Sequence, residues 1–223
     1  MQSDTIPFSA VVFDMDGTLL DTIEDISFCL NSVLDKHGYP THSLDRCRQM
    51  VGFGMRVLIK KAVPEEAHDE AITEPLLKEM QACYAEHWNE RSRPYNGMDT
   101  LLNAIDRLGL KKAILSNKPD RFTRQCADEL LAPWSFDIVM GFRENIPAKP
   151  DPTGARLIAE ELGLPPASIL YVGDSGVDMQ TAVAAGMYPL GVTWGYRPAE
   201  DLVATGARKL VSTPEEIIPL LSR

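Results

Sequence analysis

Short apolar runs alternate with amphipathic segments along most of the chain. The first run, Ala10–Phe13, is followed by Asp14, Asp16 and Gly17, which is typical of a buried strand that delivers two acids to the edge of a sheet. Because side chains of an extended segment alternate between faces, Asp14 and Asp16 are predicted to project to the same side. Two carboxylates next to a glycine suit a hard metal ion and acid/base chemistry.

The segment after this strand is predicted to be helical. Apolar residues recur at helical spacing over 23–34, and residues 44–62 read as helix interrupted at Gly52-Phe53-Gly54. A third helical segment covers 65–91, with Pro75 as an expected break or kink. No strand is predicted in this stretch, which therefore reads as an all-helical insertion.

Residues 93–97 are turn-like, and beyond them the pattern changes to alternating helices and short apolar strands. Strands are predicted at 113–115, 136–140, 169–172 and 190–192, with helices at 101–108, 121–131, 151–162 and 179–185 and a last helix opening at Thr213. This alternation predicts an α/β fold, with a parallel sheet covered by helices on both faces and the helical segment inserted after the first strand.

Composition narrows the classes of partner. With a formal net charge of -10 over 223 residues, a nucleic-acid or anionic-membrane surface is not expected. The four cysteines form no CxxC pair, which favours a reduced setting. Residues 1–8 lack the features of a signal peptide, and no later stretch is apolar enough to span a bilayer. We therefore expect a cytoplasmic protein; the sequence alone determines no oligomeric state.

Polar residues follow the predicted strands, where ligands bind in doubly wound sheets. They are Asp14 and Asp16, then Ser116 and Asn117, then Lys149, and finally Asp174 and Asp178. Carboxylates at such an edge satisfy Mg²⁺, while a lysine and backbone N–H groups neutralise phosphoryl oxygens. The pattern predicts a site for a metal ion together with a phosphate group.

These residues resemble, in order and spacing, the four motifs of the haloacid dehalogenase superfamily phosphatases. More narrowly, the chain is similar to phosphoglycolate phosphatases in Asp21-Thr22, Val51 to Gly54, Arg93 to Gly97, Ser116 to Pro119 and Gly191 to Tyr196. The resemblance implies a Rossmann-like core with a helical cap subdomain. We accordingly expect core at 1–20, cap at 21–94 and core again at 95–223.

The resemblance also implies roles for the acids. Asp14 would be the nucleophile that forms an aspartyl-phosphate, and Asp16 would protonate the departing alcohol and later accept a proton from water. Mg²⁺ would be held by the carboxylates of Asp14 and Asp174 and by the main-chain carbonyl of Asp16.

Phosphate-binding roles follow from the same resemblance. Ser116, the backbone of Asn117 and the side chain of Lys149 would hold the transferring oxygens. Asp178 would orient Lys149 or a metal-bound water.

Substrate choice is expected to depend on the cap. Gly52, Phe53 and Gly54 form the candidate specificity loop, and Arg56 is a candidate for recognising a second anionic group. The alternative for Arg56 is an exposed helical arginine. Trp194, Tyr196 and Arg197, which follow a strand end, border the site or pack in the core.

The predicted function is magnesium-dependent hydrolysis of a small phosphorylated metabolite, with 2-phosphoglycolate preferred. A sugar-phosphate mutase or a broad sugar phosphatase of the same superfamily is the first alternative. A noncatalytic phosphate-sensing or interaction module is the alternative from another class.

Overall fold

The structure is a computed structural model that describes residues 8–221. The prediction that the N-terminal segment lacks a signal peptide concerns residues 1–8, and residues 1–7 of that segment lie outside the described part. Within 8–221, no helix has both the length and the apolarity needed to cross a membrane.

Strands and helices alternate over most of this range. The strands are β1 (Ala10–Phe13), β2 (Leu20–Asp21), β3 (Arg93–Pro94), β4 (Lys111–Pro119), β5 (Ile138–Phe142), β6 (Ile169–Gly173), β7 (Tyr188–Val192) and β8 (Lys209–Val211). The α-helices are α1 (Ile23–Lys36), α2 (Leu44–Met50), α3 (Met55–Ala62), α4 (Glu70–His87), α5 (Met98–Arg107), α6 (Asp120–Leu130), α7 (Thr153–Leu162), α8 (Gly176–Ala185), α9 (Ala199–Ala204) and α10 (Ile218–Leu221). Short 3-10 turns lie at Glu65–Ala67, Pro166–Ser168 and Pro214–Ile217.

A six-stranded sheet in the order β5-β4-β1-β6-β7-β8 forms the core, and all its neighbouring strands are parallel. Successive residues of β1 enter two different hydrophobic clusters: Val11 and Phe13 pack on one face, Ala10 and Val12 on the other. Helices therefore cover both faces of the sheet, and the predicted α/β fold with its doubly wound parallel sheet is confirmed.

The helical insertion, α1 to α4, is called the cap below. It leaves and rejoins the core at one place. Leu20–Asp21 and Arg93–Pro94 pair as a two-stranded antiparallel ribbon, so the ends of the expected cap segment, 21–94, lie side by side. The fully buried carboxylate of Asp25 accepts hydrogen bonds from the backbone N–H and the hydroxyl of Ser92 at 2.8 and 2.7 Å. This contact fastens the returning chain to α1.

Of the break or kink expected at Pro75, the break is absent, since α4 continues through this residue. Pro75 lies on the exposed side of α4, where the carbonyl that loses its partner can bond to water. Leu76, Leu77 and Met80 are buried on the other side of the helix. Packing on that side outweighs the loss of one hydrogen bond.

The sheet also differs in detail from the predicted strands. β4 runs to Pro119, so Ser116 and Asn117 lie within the strand instead of after it. The sequence pattern does not predict the β2–β3 ribbon, α9 or β8, because segments of two to six residues show too little periodicity.

Candidate active site

Three acids converge at the carboxyl ends of β1 and β6. Asp14 follows β1 directly, and its backbone N–H donates to the carbonyl of Val172 at 2.9 Å, which fixes Asp14 beside the end of β6. One carboxylate oxygen each from Asp14, Asp174 and Asp178 lies within 4.8 Å of the others, and all three residues are buried. The strand ends thus create a compact group of oxygen atoms.

Lys149 is the cation inside this group. Its Nζ donates to Asp14 Oδ1 at 2.8 Å, to Asp178 Oδ1 at 2.7 Å and to the carbonyl of Leu115 at 2.9 Å. These bonds use all three N–H groups of the ammonium. Burial acts to lower the pKa of Lys149, but Asp14 and Asp178 raise it, and the result lies well above the usual value.

Asp178 connects Lys149 to helix α8. Its Oδ2 accepts hydrogen bonds from the backbone N–H and the hydroxyl of Ser175, at 3.1 and 2.5 Å, in a capping box at the start of α8. Its Oδ1 is free to hold Lys149 because the hydrogen bonds that cap helix α8 use only Oδ2. The fully buried Asp178 therefore positions the lysine and begins the helix at the same time.

The charge of Lys149 does not balance the negative charge of the buried acids around it. Burial, and then the charge of Asp178, raise the pKa of Asp14 well above its usual value, although Lys149 opposes them. The same two causes raise the pKa of Asp174 to about 7. Carboxylates that repel one another in a buried site are stabilised in their charged form by a nearby cation.

The arrangement fits a divalent ion with a preference for oxygen. Asp14 and Asp174 supply carboxylates, the donor type that Mg²⁺ prefers. Glycines keep the space beside Asp174 clear, because a Cβ at Gly17 or Gly195 would overlap the Asp174 side chain. These residues therefore suit the predicted Mg²⁺.

Asp16 has a different set of partners. Its Oδ1 accepts hydrogen bonds from Lys118 Nζ and from Thr22 Oγ1, both at 2.7 Å. Asp14 and Asp16 line the same cavity, as the alternation along the strand predicts. Burial acts to lower the pKa of Lys118, but Asp16 raises it, and the balance lies well above the usual value.

Asn117 connects the core to the cap. Its Nδ2 donates to the carbonyls of Lys149 and Gly52, each at 3.0 Å, and its Oδ1 accepts the backbone N–H of Lys149 at 2.8 Å. Ser116 is buried and lines the cavity that contains Asp14 and Asp16. The second predicted motif thus lies beside both the acids and the cap loop.

A small cavity of about 40 Å³ separates the acids from the cap. Its cap side is formed by Ile26, Val51, Gly52, Gly54, Met55 and Leu58. A larger cavity of about 250 Å³ lies alongside and shares Gly54, Met55 and Asn117 with the first. The two cavities together offer a narrow space beside the acids and a wider one next to it.

The candidate cap residues divide between the two cavities. Gly52 and Gly54 line the small cavity, whereas Phe53 and Arg56 line the larger one. Arg56 forms an ion pair with Glu74, Nη1 to Oε2 at 2.6 Å, and its side chain is 58% exposed. Within residues 8–221, Arg56 is thus an exposed helical arginine with an acidic partner.

Two contacts at the site go beyond those that the sequence predicts. The first is the hydrogen bond from Lys118 to Asp16. Lys118 stands two residues after Ser116, and strand periodicity places the two on one face only if β4 extends beyond residue 115. Arg197 donates to the carbonyls of Arg48, Gln49 and Val51 at the end of α2. A contact between such distant segments leaves no signal in the local pattern.

Comparisons with known proteins agree with this geometry. The family model described as haloacid dehalogenase-like hydrolase matches residues 11–192. N-acetylmuramic acid 6-phosphate phosphatase of Pseudomonas aeruginosa is 35% identical over 96% of this chain and 95% of its own length. Phosphoglycolate phosphatase of Thiobacillus denitrificans is 32% identical over 91% and 92% of the two chains.

A solved structure agrees as well. It comes from Haemophilus somnus, is described as a predicted phosphoglycolate phosphatase, and is 25% identical with a TM-score of 0.87. The superposition covers 97% of this chain and 99% of that one. With the family model and both relatives, this match shows that the chain belongs to the haloacid dehalogenase-like hydrolases.

Proposed function

We propose that the protein hydrolyses a small phosphomonoester through a covalent intermediate on Asp14. The observation that carries this proposal is the set of buried contacts joining Asp14, Lys149 and Asp178. Asp14 attacks phosphorus, so that an Asp14 oxygen–phosphorus bond forms while the bond to the ester oxygen breaks. The position of Asp14 at a strand end, held by Lys149, supports this role.

Asp16 handles the proton in both steps. In the first step it donates a proton to the departing ester oxygen, which leaves as an alcohol. In the second step it accepts a proton from the water that attacks phosphorus, and Asp14 is released together with inorganic phosphate. Hydrogen bonds from Thr22 and Lys118 hold Asp16 beside the small cavity and support this assignment.

Ser116 and the backbone of Asn117 hold the transferring oxygens, and the positive charge of Lys149 attracts them. Asp178 keeps the ammonium of Lys149 directed at the reacting group through its 2.7 Å hydrogen bond. The proposed cofactor is Mg²⁺, held by Asp14, Asp174 and the main-chain carbonyl of Asp16. When bound, the ion would supply positive charge that offsets the repulsion between Asp14 and an anionic substrate.

We propose 2-phosphoglycolate as the substrate. The phosphoglycolate phosphatases among the relatives support this choice, and so does the small cavity of about 40 Å³ beside the acids. N-acetylmuramic acid 6-phosphate is the second candidate, because the relative of that name is 35% identical and because a 250 Å³ cavity adjoins the site. The proposed setting is the cytoplasm, supported by the free thiols of Cys29, Cys47, Cys83 and Cys126.

Phosphate release from three esters tests this function. We expect Mg²⁺-dependent hydrolysis with the highest kcat/KM for 2-phosphoglycolate, a lower value for N-acetylmuramic acid 6-phosphate, and a lower value still for glucose 6-phosphate. A higher kcat/KM for N-acetylmuramic acid 6-phosphate than for 2-phosphoglycolate would identify the amino-sugar phosphate as the substrate. Isomerisation of hexose phosphates would favour a mutase, and no turnover even of an aryl phosphate would favour a noncatalytic module.

A further inference from the structure

The small cavity is lined by a cation, Lys118, that the proposed phosphate transfer uses only to hold Asp16. Lys118 is buried and lines the cavity together with Asp14, Asp16 and Ser116. Among the described residues that form this cavity, Lys118 alone is positively charged. Lys149, the cation proposed to act on the phosphate, is hydrogen-bonded to Asp14 but does not line this cavity.

Other cations near the cap are already engaged. Arg56 pairs with Glu74, and Lys61 lies 3.7 Å from the centre of the Phe53 ring. The guanidinium of Arg197 donates to backbone carbonyls of the cap. None of these three lines the small cavity, so a negative charge on a bound leaving group would meet Lys118 first.

The present partners of Lys118 leave it able to bind a second carboxylate. Its Nζ donates to Asp16 Oδ1 at 2.7 Å and lies 4.6 Å from the centre of the Tyr84 ring. An ammonium has three N–H groups, and a ring face is a weaker partner than a carboxylate. Thr22 also holds Asp16, so Lys118 is not the sole support of that side chain.

Geometry limits how far this second carboxylate can be from the ester oxygen. A leaving oxygen hydrogen-bonded to Asp16 lies within about 8 Å of Lys118 Nζ, the sum of two hydrogen bonds and the width of a carboxylate. When the carboxylate is attached to the carbon that bears the ester oxygen, the path from that oxygen through the carboxylate and its hydrogen bond to Lys118 Nζ spans about 6 Å. This distance fits the limit. A carboxylate on the far side of a sugar ring does not fit this limit.

We propose that Lys118 is the specificity-determining residue that binds a carboxylate next to the ester oxygen, so that the preferred substrates are phosphate esters of short 2-hydroxy acids. The inference rests on the proposed phosphatase function and specifies its substrate class. Without the ammonium, the carboxylates of Asp14, Asp16 and the substrate would meet in one buried cavity. Their repulsion would exclude the acid and favour neutral esters.

The test compares a charged substrate with a neutral one of the same shape. Wild type, Lys118→Met and the control Lys60→Met, an exposed lysine of α3, are assayed with 2-phosphoglycolate and with 2-phosphoglycolamide. We expect wild type and Lys60→Met to favour the carboxylate by at least about 30-fold in kcat/KM. In Lys118→Met this ratio should fall to within about threefold of unity.

The ratio separates recognition from support of Asp16. If Lys118→Met slows both substrates equally and keeps the ratio, Lys118 only positions Asp16 and the inference is overturned. A wild-type ratio near unity overturns it even if the variant does not fold. Failure of wild type to hydrolyse any phosphate ester would instead overturn the proposed function, and the inference with it.

Discussion

The two acids after β1 differ in the partners of their side chains. Asp14 is hydrogen-bonded to Lys149 and lies close to Asp174 and Asp178, whereas Asp16 is hydrogen-bonded to Thr22 and Lys118. In the first environment three buried carboxylates lie close together, so a cation is needed to stabilise their charged forms. The second holds a single carboxylate beside a cavity, which suits a group that exchanges protons with a leaving group.

Removing the proton of Asp16 should lower kcat/KM, which reports the first step, only when the leaving group needs protonation. In Asp16→Asn, kcat/KM for an alkyl phosphate should fall by about 100-fold or more, and for p-nitrophenyl phosphate by less than about tenfold, because nitrophenolate leaves without protonation. Asp35→Asn, at an exposed acid of α1, is the control. Equal losses on the two esters would contradict the proton-donor role.

The raised pKa of Asp174 predicts pH-dependent metal binding. A carboxyl with a pKa of about 7 is mostly neutral at pH 6 and mostly ionised at pH 8. Since a metal ion binds the ionised form, the apparent Mg²⁺ affinity should be about tenfold weaker at pH 6 than at pH 8. Calorimetric titration at both pH values measures the difference.

The control for that titration is Glu160→Gln, at an exposed acid of α7, which should keep the wild-type pH dependence. Asp174→Asn should bind Mg²⁺ more weakly at both pH values. Equal wild-type affinity at pH 6 and pH 8 would contradict the raised pKa of the buried acid.

At the scale of elements, the cap is fastened to the core at two places close to the site. Asn117 donates to the carbonyl of Gly52, and the guanidinium of Arg197 donates to the carbonyl of Val51 at 2.6 Å and to that of Gln49 at 3.1 Å. Carbonyls at the end of α2 lack helical partners, so a guanidinium there satisfies several acceptors at once. These contacts stabilise the cap over the acids.

Loss of the Arg197 contact should weaken cap closure. In Arg197→Met we expect kcat/KM for the small substrate to fall by about tenfold, because the cavity closes around the leaving group less often. Arg208→Met, at an exposed arginine next to Tyr188, is the matched control and should keep wild-type values. A wild-type kcat/KM in Arg197→Met would show that the contact has no part in closure.

The elements that the sequence predicts well are those with long periodic patterns. The run Ala10–Phe13 predicts a buried strand and the position of two acids after it, and both are present. Only family resemblance suggests the partnership of Lys149 with Asp178, because residue spacing does not say which strand ends are neighbours. The ion pair of Arg56 with Glu74 depends on helix packing, which local pattern does not encode.

At the scale of the whole molecule, the fold brings together groups that are far apart in the sequence. Asp14 and Lys149, which share a 2.8 Å hydrogen bond, are separated by 135 positions. Parallel strands make this possible, because every carboxyl end of the sheet faces the same edge. In a chain with a net charge of -10, the fold therefore places two buried lysines, Lys118 and Lys149, beside the acids where the phosphate ester is proposed to bind.

The central claim, a covalent phosphate on Asp14, is tested most directly by acid quenching. Wild-type protein mixed with Mg²⁺ and ³²P-labelled 2-phosphoglycolate should, within the first turnover, carry label in a hydroxylamine-sensitive acyl phosphate on the peptide that contains Asp14. Asp14→Asn should carry none and release no phosphate. Label on another residue, or full turnover by Asp14→Asn, would contradict the proposed mechanism.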